Sequence, residues 1–454
     1  MNDSFKRRLS AFFAGTMIFT VVAGSYQITY SASESQNAGY RKVYKIINPY
    51  KSVDWANYGQ YKAGLHSHTT ESDGAYSVKD MIENAYGKDY DVLAITDHDV
   101  ANTKWDRTDK NPNNYLTTER LNEINSGTDR KGKALIGIPF TSEQSVSDHV
   151  NTFWANFSNG NNATLESNIA KCEELGGISH INHPGDAASS TYFIDGQITE
   201  SGAQIVSDYV NLYKKYPSCV GIEIFNKRYG NRESFRHFWD NVLMNTMPNR
   251  PVWGFAGDDA HSAGELGYNF NMLLMPSNTE KNIRYSMENG TFYAVALSVG
   301  FGLEVTPEAR NSFPVINNII VNEEENSITI KGDKYDVIEW VVDNKIIATG
   351  PSIDLNNYEH KVKNYVRAQL KGPGGFSFTQ PFGIIEKSSI MVGDINNDKK
   401  ISATDCLLLK QHILGLEGCI LTGEGLLAAD VDKNSRVNAI DLLCLKKIIL
   451  GISD

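Results

Sequence analysis

Positive charge, cysteine and long apolar runs are all scarce in this chain of 454 residues, and each scarcity removes a class of function. Lys and Arg number 43 against 54 Asp and Glu, so the net charge is −11. That balance, with a pI near 5.5 and no basic stripe, disfavours a nucleic-acid backbone as partner. The five cysteines cannot all pair with one another, and their spacings match no metal knuckle. They read as buried apolar thiols and not as a disulfide framework. Beyond residue 33 no segment reaches the roughly 20 apolar residues that a membrane span needs.

What is present is globular. Hydrophobic residues make up 41% and charged residues 21%, values that exclude wholesale disorder. The length exceeds one ordinary core and predicts two to three domains. At the N-terminus Lys6, Arg7 and Arg8 precede an apolar run from Leu9 to Ala23, followed by small residues around Ser31-Ala32-Ser33. That order predicts a secretory signal over residues 1–33. An uncleaved anchor is the alternative, and in both cases the rest of the chain faces outward.

Leu65-His66-Ser67-His68 offers two imidazoles on one face of an extended segment, with Asp73-Gly74 a few residues on. Two neutral nitrogen donors and a carboxylate within loop reach begin a metal site. The pattern then recurs at the ends of further strands. Tyr61 to His68 reads as a strand, and Ser77 with Asp80 opens a helix carrying Val78, Met81, Ile82 and Ala85. A second strand, Asp91 to Ile95, runs into Thr96-Asp97-His98-Asp99, completing a βαβ unit. Ala134 to Phe140 leads to Ser142-Glu143-Gln144 and His149. A helix with Leu165, Ile169, Cys172 and Leu175 precedes Ile178 to Ile181, which delivers His180, Asn182 and His183. Val220 to Phe225 holds Glu223 and ends at Asn226. Val252 to Ala256 leads into Gly257-Asp258-Asp259-Ala260-His261. Ligand-type residues at successive carboxyl ends are how α/β barrels build sites.

From about Pro314 the texture changes to short strands and turns. Ile328-Thr329-Ile330, Val337 to Val342 and Tyr365 to Leu370 predict a small all-β, sandwich-like module over residues 312–386. Its Trp340 is either a carbohydrate-stacking residue or a core residue, and the core is the expectation.

The tail contains an internal repeat. Gly393-Asp394-Ile395-Asn396-Asn397-Asp398 through Gly415 matches Ala429-Asp430-Val431-Asp432-Lys433-Asn434 through Gly451, a period of 430 − 394 = 36 residues. Oxygen-bearing residues fall at loop positions 1, 3, 5, 9 and 12: Asp394, Asn396, Asp398, Ser402 and Asp405, then Asp430, Asp432, Asn434, Asn438 and Asp441. Lys400 and Arg436 stand at position 7. Hard oxygen donors at those offsets, followed by a helix, fit one Ca²⁺ per loop. Position 6, usually glycine, is Lys399 or Ser435, and position 12 is Asp instead of Glu.

The tail, residues 391–454, resembles a type I dockerin, a duplicated calcium-loop module. The resemblance implies a cohesin domain of a cellulosomal scaffold as partner. It also implies a helical interface involving Leu407, Leu408, Leu442 and Leu443, tuned by Ala403-Thr404 and Ala439-Ile440 at loop positions 10 and 11.

The front part resembles the PHP (polymerase and histidinol phosphatase) superfamily of metal-dependent phosphoesterases. The matching motifs are His66-Ser67-His68 with Ser72-Asp73-Gly74, Ile95-Thr96-Asp97-His98-Asp99, Glu143 with His149, Asn182-His183-Pro184 and Gly257-Asp258-Asp259-Ala260-His261. The resemblance implies an α/β fold, a distorted (β/α)7 barrel over residues 45–305. It places one metal on His66, His68, Glu143 and Asp259. A second would share Glu143 with His149 and His183, and a third would sit on Asp73, His98 and His261. Two or three divalent ions of Zn, Mn or Fe fit such ligands. His180 competes with His183, and Asp258 with Asp259; the motifs favour His183 and Asp259. Glu223, Asn226 and Arg228 are expected as cofactor-binding residues; Arg228, Lys227 and Arg232 are either contacts to a substrate phosphate or solvated surface charges. Asp97 and Asp99 are expected to orient ligands or move protons.

The expected function is a secreted, cellulosome-attached metal-dependent phosphoesterase acting on a phosphoester or wall-derived substrate. The alternatives are a metal-dependent hydrolase of another ester in plant-wall polysaccharide, or a non-catalytic module carried by the dockerin. A polymerase-associated exonuclease is disfavoured by the export signal and acidic surface.

Overall fold

The computed structural model describes residues 40–452 other than 147, 159, 161, 185–191, 195–196, 228–232 and 298–311. The expected signal segment, Arg228 and Arg232 therefore lie outside the described residues.

The first βαβ unit forms as its sequence pattern predicts. Ser77 caps the helix Val78–Gly87, its side chain accepting the Asp80 N–H, and Val78, Met81, Ile82 and Ala85 form the buried stripe. The flanking strands Gly59–Gly64 and Val92–Leu93 pair in parallel, and Ile136–Gly137 pairs in parallel with the latter. A second set, Ile178–Ile181, Cys219–Asn226 and Trp253–Gly257, is also parallel. Every residue of these three strands is buried, so they lie inside the molecule.

Two short bridges join the sets. Ser67 pairs with Ala260 and His98 with Glu143, both in parallel. The carboxyl ends of strands from both sets are thereby drawn around one point. The arrangement is mixed, not purely parallel. Val150–Phe153 runs antiparallel to Ile178–Ile181, and Asn269–Met275 antiparallel to Gly59–Gly64.

The β-rich part contains the expected strands as Ser327–Asp333, Val337–Val342 and Tyr365–Gly372. Asp343 and Asn344, both with positive φ, turn Val337–Val342 into Lys345–Thr349. Pairing also crosses the boundary near residue 312. Gly375–Phe378 pairs antiparallel with Phe292–Ala296, and Tyr40–Ile47 runs along Phe382–Met391. Packing explains the first junction: Phe376 and Phe378 join the buried cluster that contains Ala294 and Ala296. Trp340 is fully buried and its indole N–H donates to Gly350 O at 3.0 Å, which makes it a core residue.

The tail comprises the helices Ala403–Ile413, Gly423–Ala429 and Ala439–Leu450. Leu409, Leu427 and Leu445 form its core, together with Ile390 and partly buried Val43 from the strands before it. All five cysteines are free. Cys172 and Cys219 are the buried thiols expected, each pushed up to about 12 by burial, whereas Cys406, Cys419 and Cys444 are only half-buried.

Candidate metal centre

Extended backbone past Gly64 carries His66 and His68 to the same side, as alternation requires, and the His68 N–H fixes the register on Ala260 O at 2.8 Å. Their Nε2 atoms lie 3.3 Å from Glu143 Oε1 and Oε2 respectively. Asp259 Oδ1 is 3.5 Å from His66 Nε2 and 3.1 Å from His68 Nε2. Glu143 is the hub. Its Oε1 also meets His149 Nδ1 at 3.1 Å and His183 Nε2 at 3.2 Å, and its Oε2 meets His98 Nδ1 at 3.1 Å.

Asp73 gathers the outer group. Its Oδ2 is 3.3 Å from His261 Nε2 and 3.6 Å from His98 Nε2, and its Oδ1 is 3.8 Å from His68 Nδ1. The loop that carries it needs Gly74, since a Cβ there would lie 2.5 Å from His68 O. The nine side chains predicted as transition-metal ligands thus converge. Mutually close donor sets are His68, Asp73, His98 and His261; His66, Glu143 and His183; His66, His68 and Asp259; and His98, Glu143 and His149. His68 therefore stands between the inner and outer groups.

Chemistry and geometry both fit divalent cations. His66, His68, Glu143 and Asp259 are buried, while the Asp73 side chain is 55% exposed and opens the group to solvent. Buried His66 Nε2, His68 Nδ1, His68 Nε2, His98 Nδ1 and Glu143 Oε2 make no hydrogen bond, although carboxylates or imidazoles lie close by. Atoms that approach without hydrogen-bond direction are aimed at a common point and not at each other, as ligands are. Burial works against protonation of His66 and His68, yet the facing carboxylates prevail, raising His66 well above its ordinary value and His68 to about 9. Burial likewise opposes ionisation of Glu143 and Asp259, and the imidazoles hold both well below the usual carboxylate range. A cation would take the place of those protons.

A second layer holds these ligands. Glu223 and Asn226, expected as cofactor-binding residues, are buried behind the cluster. Glu223 Oε1 accepts from His66 Nδ1 at 2.8 Å, and its Oε2 accepts from the His183 N–H and Asn226 Nδ2, each at 2.9 Å. The reason is that Glu223 lies within a strand whose residues are all buried, so its carboxylate faces the ligands and not the solvent. Asn182 Nδ2 donates to Glu143 Oε1 at 2.7 Å. Asp97 accepts from the Thr69 N–H, Thr69 Oγ1 and Ser72 Oγ, fixing the Asp73 loop. Asp99 holds Ser145 N and Oγ beyond Glu143.

The two competing pairs also separate. Asp258 turns away and accepts from the N–H groups of Gly267, Tyr268 and Asn269 and from Tyr90 Oη. His180 stacks on Phe255 with ring centroids 4.6 Å apart, and burial pushes it down to about 4. Asn151, which the sequence reading did not single out, donates through Nδ2 to Leu65 O at 3.1 Å. No pattern marked it, because it is one of two polar residues on a fully buried strand.

The tail loops repeat each other's hydrogen bonds. Asp394 accepts from Asp398 N and Lys399 N, as Asp430 does from Asn434 N and Ser435 N. Asp405 accepts from Ile395 N, Asn396 N and Ser402 N, as Asp441 does from Val431 N, Asp432 N and Asn438 N. Asp430, Asp432 and Asp441 bring carboxylate oxygens together as a possible cation site. Lys399 and Ser435, where a glycine is usual, both adopt left-handed backbone with φ of 67° and 65°.

The chain is 47% identical over 47 residues to the DNA polymerase/3′-5′ exonuclease PolX of Bacillus subtilis (strain 168), a match spanning 10% of this chain and 8% of that protein. Among solved structures it is similar to a two-domain Bacteroides vulgatus protein containing a predicted PHP-like metal-dependent phosphoesterase. That similarity covers 78% of this chain and 92% of the other at 15% identity and a TM-score of 0.36. It is also similar to an amidohydrolase from Chromobacterium violaceum, over 45% of this chain and 88% of that one, at 16% identity and a TM-score of 0.29. The family model for the dockerin type I domain matches residues 392–450. With its two loops built alike and its helices following each, the segment 392–450 is a dockerin type I domain.

Proposed function

We propose that this chain is a metal-dependent phosphoesterase carried by its dockerin onto a cohesin-bearing scaffold outside the cell. The observation that carries this reading is the convergence on Glu143 and Asp259 of the buried nitrogens His66 Nε2, His68 Nε2 and His98 Nδ1, which make no hydrogen bond. In this reading the two parallel strand sets and their bridges at Ser67–Ala260 and His98–Glu143 are parts of a distorted (β/α)7 barrel. His66, His68, Glu143 and Asp259 hold one cation, Glu143, His149 and His183 a second, and Asp73, His98 and His261 a third. The donor mixture suits Zn, Mn or Fe. Bound cations of this kind lower the pKa of coordinated water and neutralise phosphoryl oxygens.

The chain's own residues prepare that chemistry. Glu223, by accepting from His66 Nδ1, leaves Nε2 as the atom turned to the cluster. Asn182 holds the hub carboxylate in place. Asp73, the most exposed ligand, lies on the side from which a substrate reaches the cluster. At the other end, two calcium loops shape the helices whose exposed Leu407 and Leu443 form part of the cohesin-facing surface. The N-terminal charged and apolar order supports export.

A second reading, hydrolysis of another ester in plant-wall polymers, is favoured by the dockerin alone. Protein loaded with Mn²⁺ or Zn²⁺ should hydrolyse p-nitrophenyl phosphate and hold two or three transition-metal ions per chain. Joint His66→Ala and His68→Ala substitution should remove both properties. Inactivity across a broad phosphoester panel with every metal, alongside cleavage of acetyl or feruloyl esters, would replace the first reading by the second.

A further inference from the structure

Lys227 directly follows the buried strand Cys219–Asn226 that supplies Glu223. Its φ of 54° is left-handed, a conformation that costs a residue with a Cβ. The turn is held in place, since Asn269 Nδ2 donates to Lys227 O at 3.2 Å. Backbone strain that the surroundings enforce is a common feature of functional sites. Here its consequence is visible. The ammonium lies 3.1 Å from Asp259 Oδ2, while Asp259 Oδ1 faces His68 Nε2 at 3.1 Å.

The two partners sit in different media. Asp259 is 4% exposed at its side chain, and Lys227 is 48% exposed. The ammonium therefore stands at the boundary between the ligand cluster and solvent, on the carboxylate oxygen turned away from His68. A cation bound through Asp259 would draw off much of that carboxylate's charge. The half-exposed ammonium would then attract a further anion arriving from solvent. Resting on the phosphoesterase reading above, we propose that Lys227 binds a non-bridging oxygen of the substrate's phosphoryl group. It would hold the anion beside the cluster and hydrogen-bond more strongly as charge grows there during displacement.

The test uses full-length, metal-loaded protein and inorganic phosphate as the probe, with calorimetric binding beside the metal content. Lys227→Gln should weaken phosphate binding about tenfold or more, the loss of one charge-assisted hydrogen bond. Lys227→Arg should restore most of it, and both variants should keep the wild-type metal content. On p-nitrophenyl phosphate, Lys227→Gln should lower kcat/KM by at least as much. Unchanged phosphate affinity in Lys227→Gln would overturn the proposal, even if the wild type proves a good phosphoesterase. So would loss of metal from that variant, which would make Lys227 a support for Asp259. Conversely, weakened phosphate binding in a chain that cleaves no phosphoester would leave the anion site standing and remove only the reading on which it was built.

Discussion

Replacing Glu223 by Gln keeps the shape of the side chain and removes one acceptor, which isolates its hold on the ligands. Its two oxygens serve three donors, His66 Nδ1, the His183 N–H and Asn226 Nδ2. A glutamine offers one acceptor oxygen and one NH₂ group. If the NH₂ faces His183 and Asn226, two buried donors lose their acceptor. If it faces His66, the ring must accept at Nδ1 and carry its proton on Nε2, the atom aimed at Glu143 and Asp259. Each unsatisfied buried donor costs about 1–3 kcal/mol. At roughly 1.4 kcal/mol per factor of ten, the smaller of these is about fivefold in metal affinity and the larger somewhat over about a hundredfold. A similar range is usual for groups that orient metal ligands. Titration of metal-free protein with Zn²⁺ against a competing chelator should show this weakening, with calcium binding by the tail unchanged. Equal Zn²⁺ affinities for Glu223→Gln and wild type would refute the argument that this carboxylate sets the cluster.

Gly257→Ala should weaken the same metal sites, because the added methyl would lie 2.1 Å from Glu223 Oε1 and 3.0 Å from His66 Cβ. Gly264→Ala, meeting nothing nearer than 3.9 Å, should leave the titration unchanged and serves as the control. In the tail, Leu409→Ala should destabilise the calcium-loaded module by about 2–5 kcal/mol, since the residue is fully buried, as a thermal melt would register. Leu407→Ala, at a 53% exposed position, should shift that melt by no more than about 0.5 kcal/mol while weakening capture of a cohesin.

The nine prospective metal ligands were legible because each sits in a short motif at the end of a strand or in the loop after it. Side-chain chemistry and spacing then carry the signal without knowledge of long-range pairing. Glu223 was visible as a carboxylate but not as to its role. Cys219–Asn226 is buried on both faces, so no alternation tells which side meets the ligands. A register shift against Trp253–Gly257 between Glu223 and Phe225 further breaks the simple period. Asp258 and Asp259 are chemically identical neighbours. What parts them is the left-handed backbone at Asp259, with φ of 46°, and three main-chain N–H groups waiting for Asp258.

The sharing of one sheet by the front and β-rich parts was not legible at all. Phe376 and Phe378 alternate as in any strand, and only their partners, Ala294 and Ala296, reveal the junction. Those partners lie some eighty positions earlier, and nothing local encodes such a distance. The strand Tyr40–Ile47 is an extreme case, because it pairs with Phe382–Met391 across nearly the whole chain. That pairing also places Val43 against the tail's apolar core. The dockerin is thereby seated on the sheet that begins the described chain, and not hung from a free linker.

Strained backbone recurs at both candidate cation sites. His183, Lys227 and Asp259 at the cluster, and Lys399 and Ser435 in the tail loops, all hold positive φ without being glycine. Each costs of order 1 kcal/mol or more and persists only where the surroundings over-determine it. The surroundings are specific: Glu223 takes the His183 N–H, Asn269 takes the Lys227 carbonyl, and Asp394 and Asp430 take the N–H groups of Lys399 and Ser435. In three of these four cases the group that enforces the strained backbone is a carboxylate that belongs to the metal site or touches its ligands. Cation binding at either end would offset the repulsion among such carboxylates, and so would also stabilise the backbone they hold. Strained residues and bound ions would therefore be coupled, which is why a one-atom change at Glu223 should be felt at the metal.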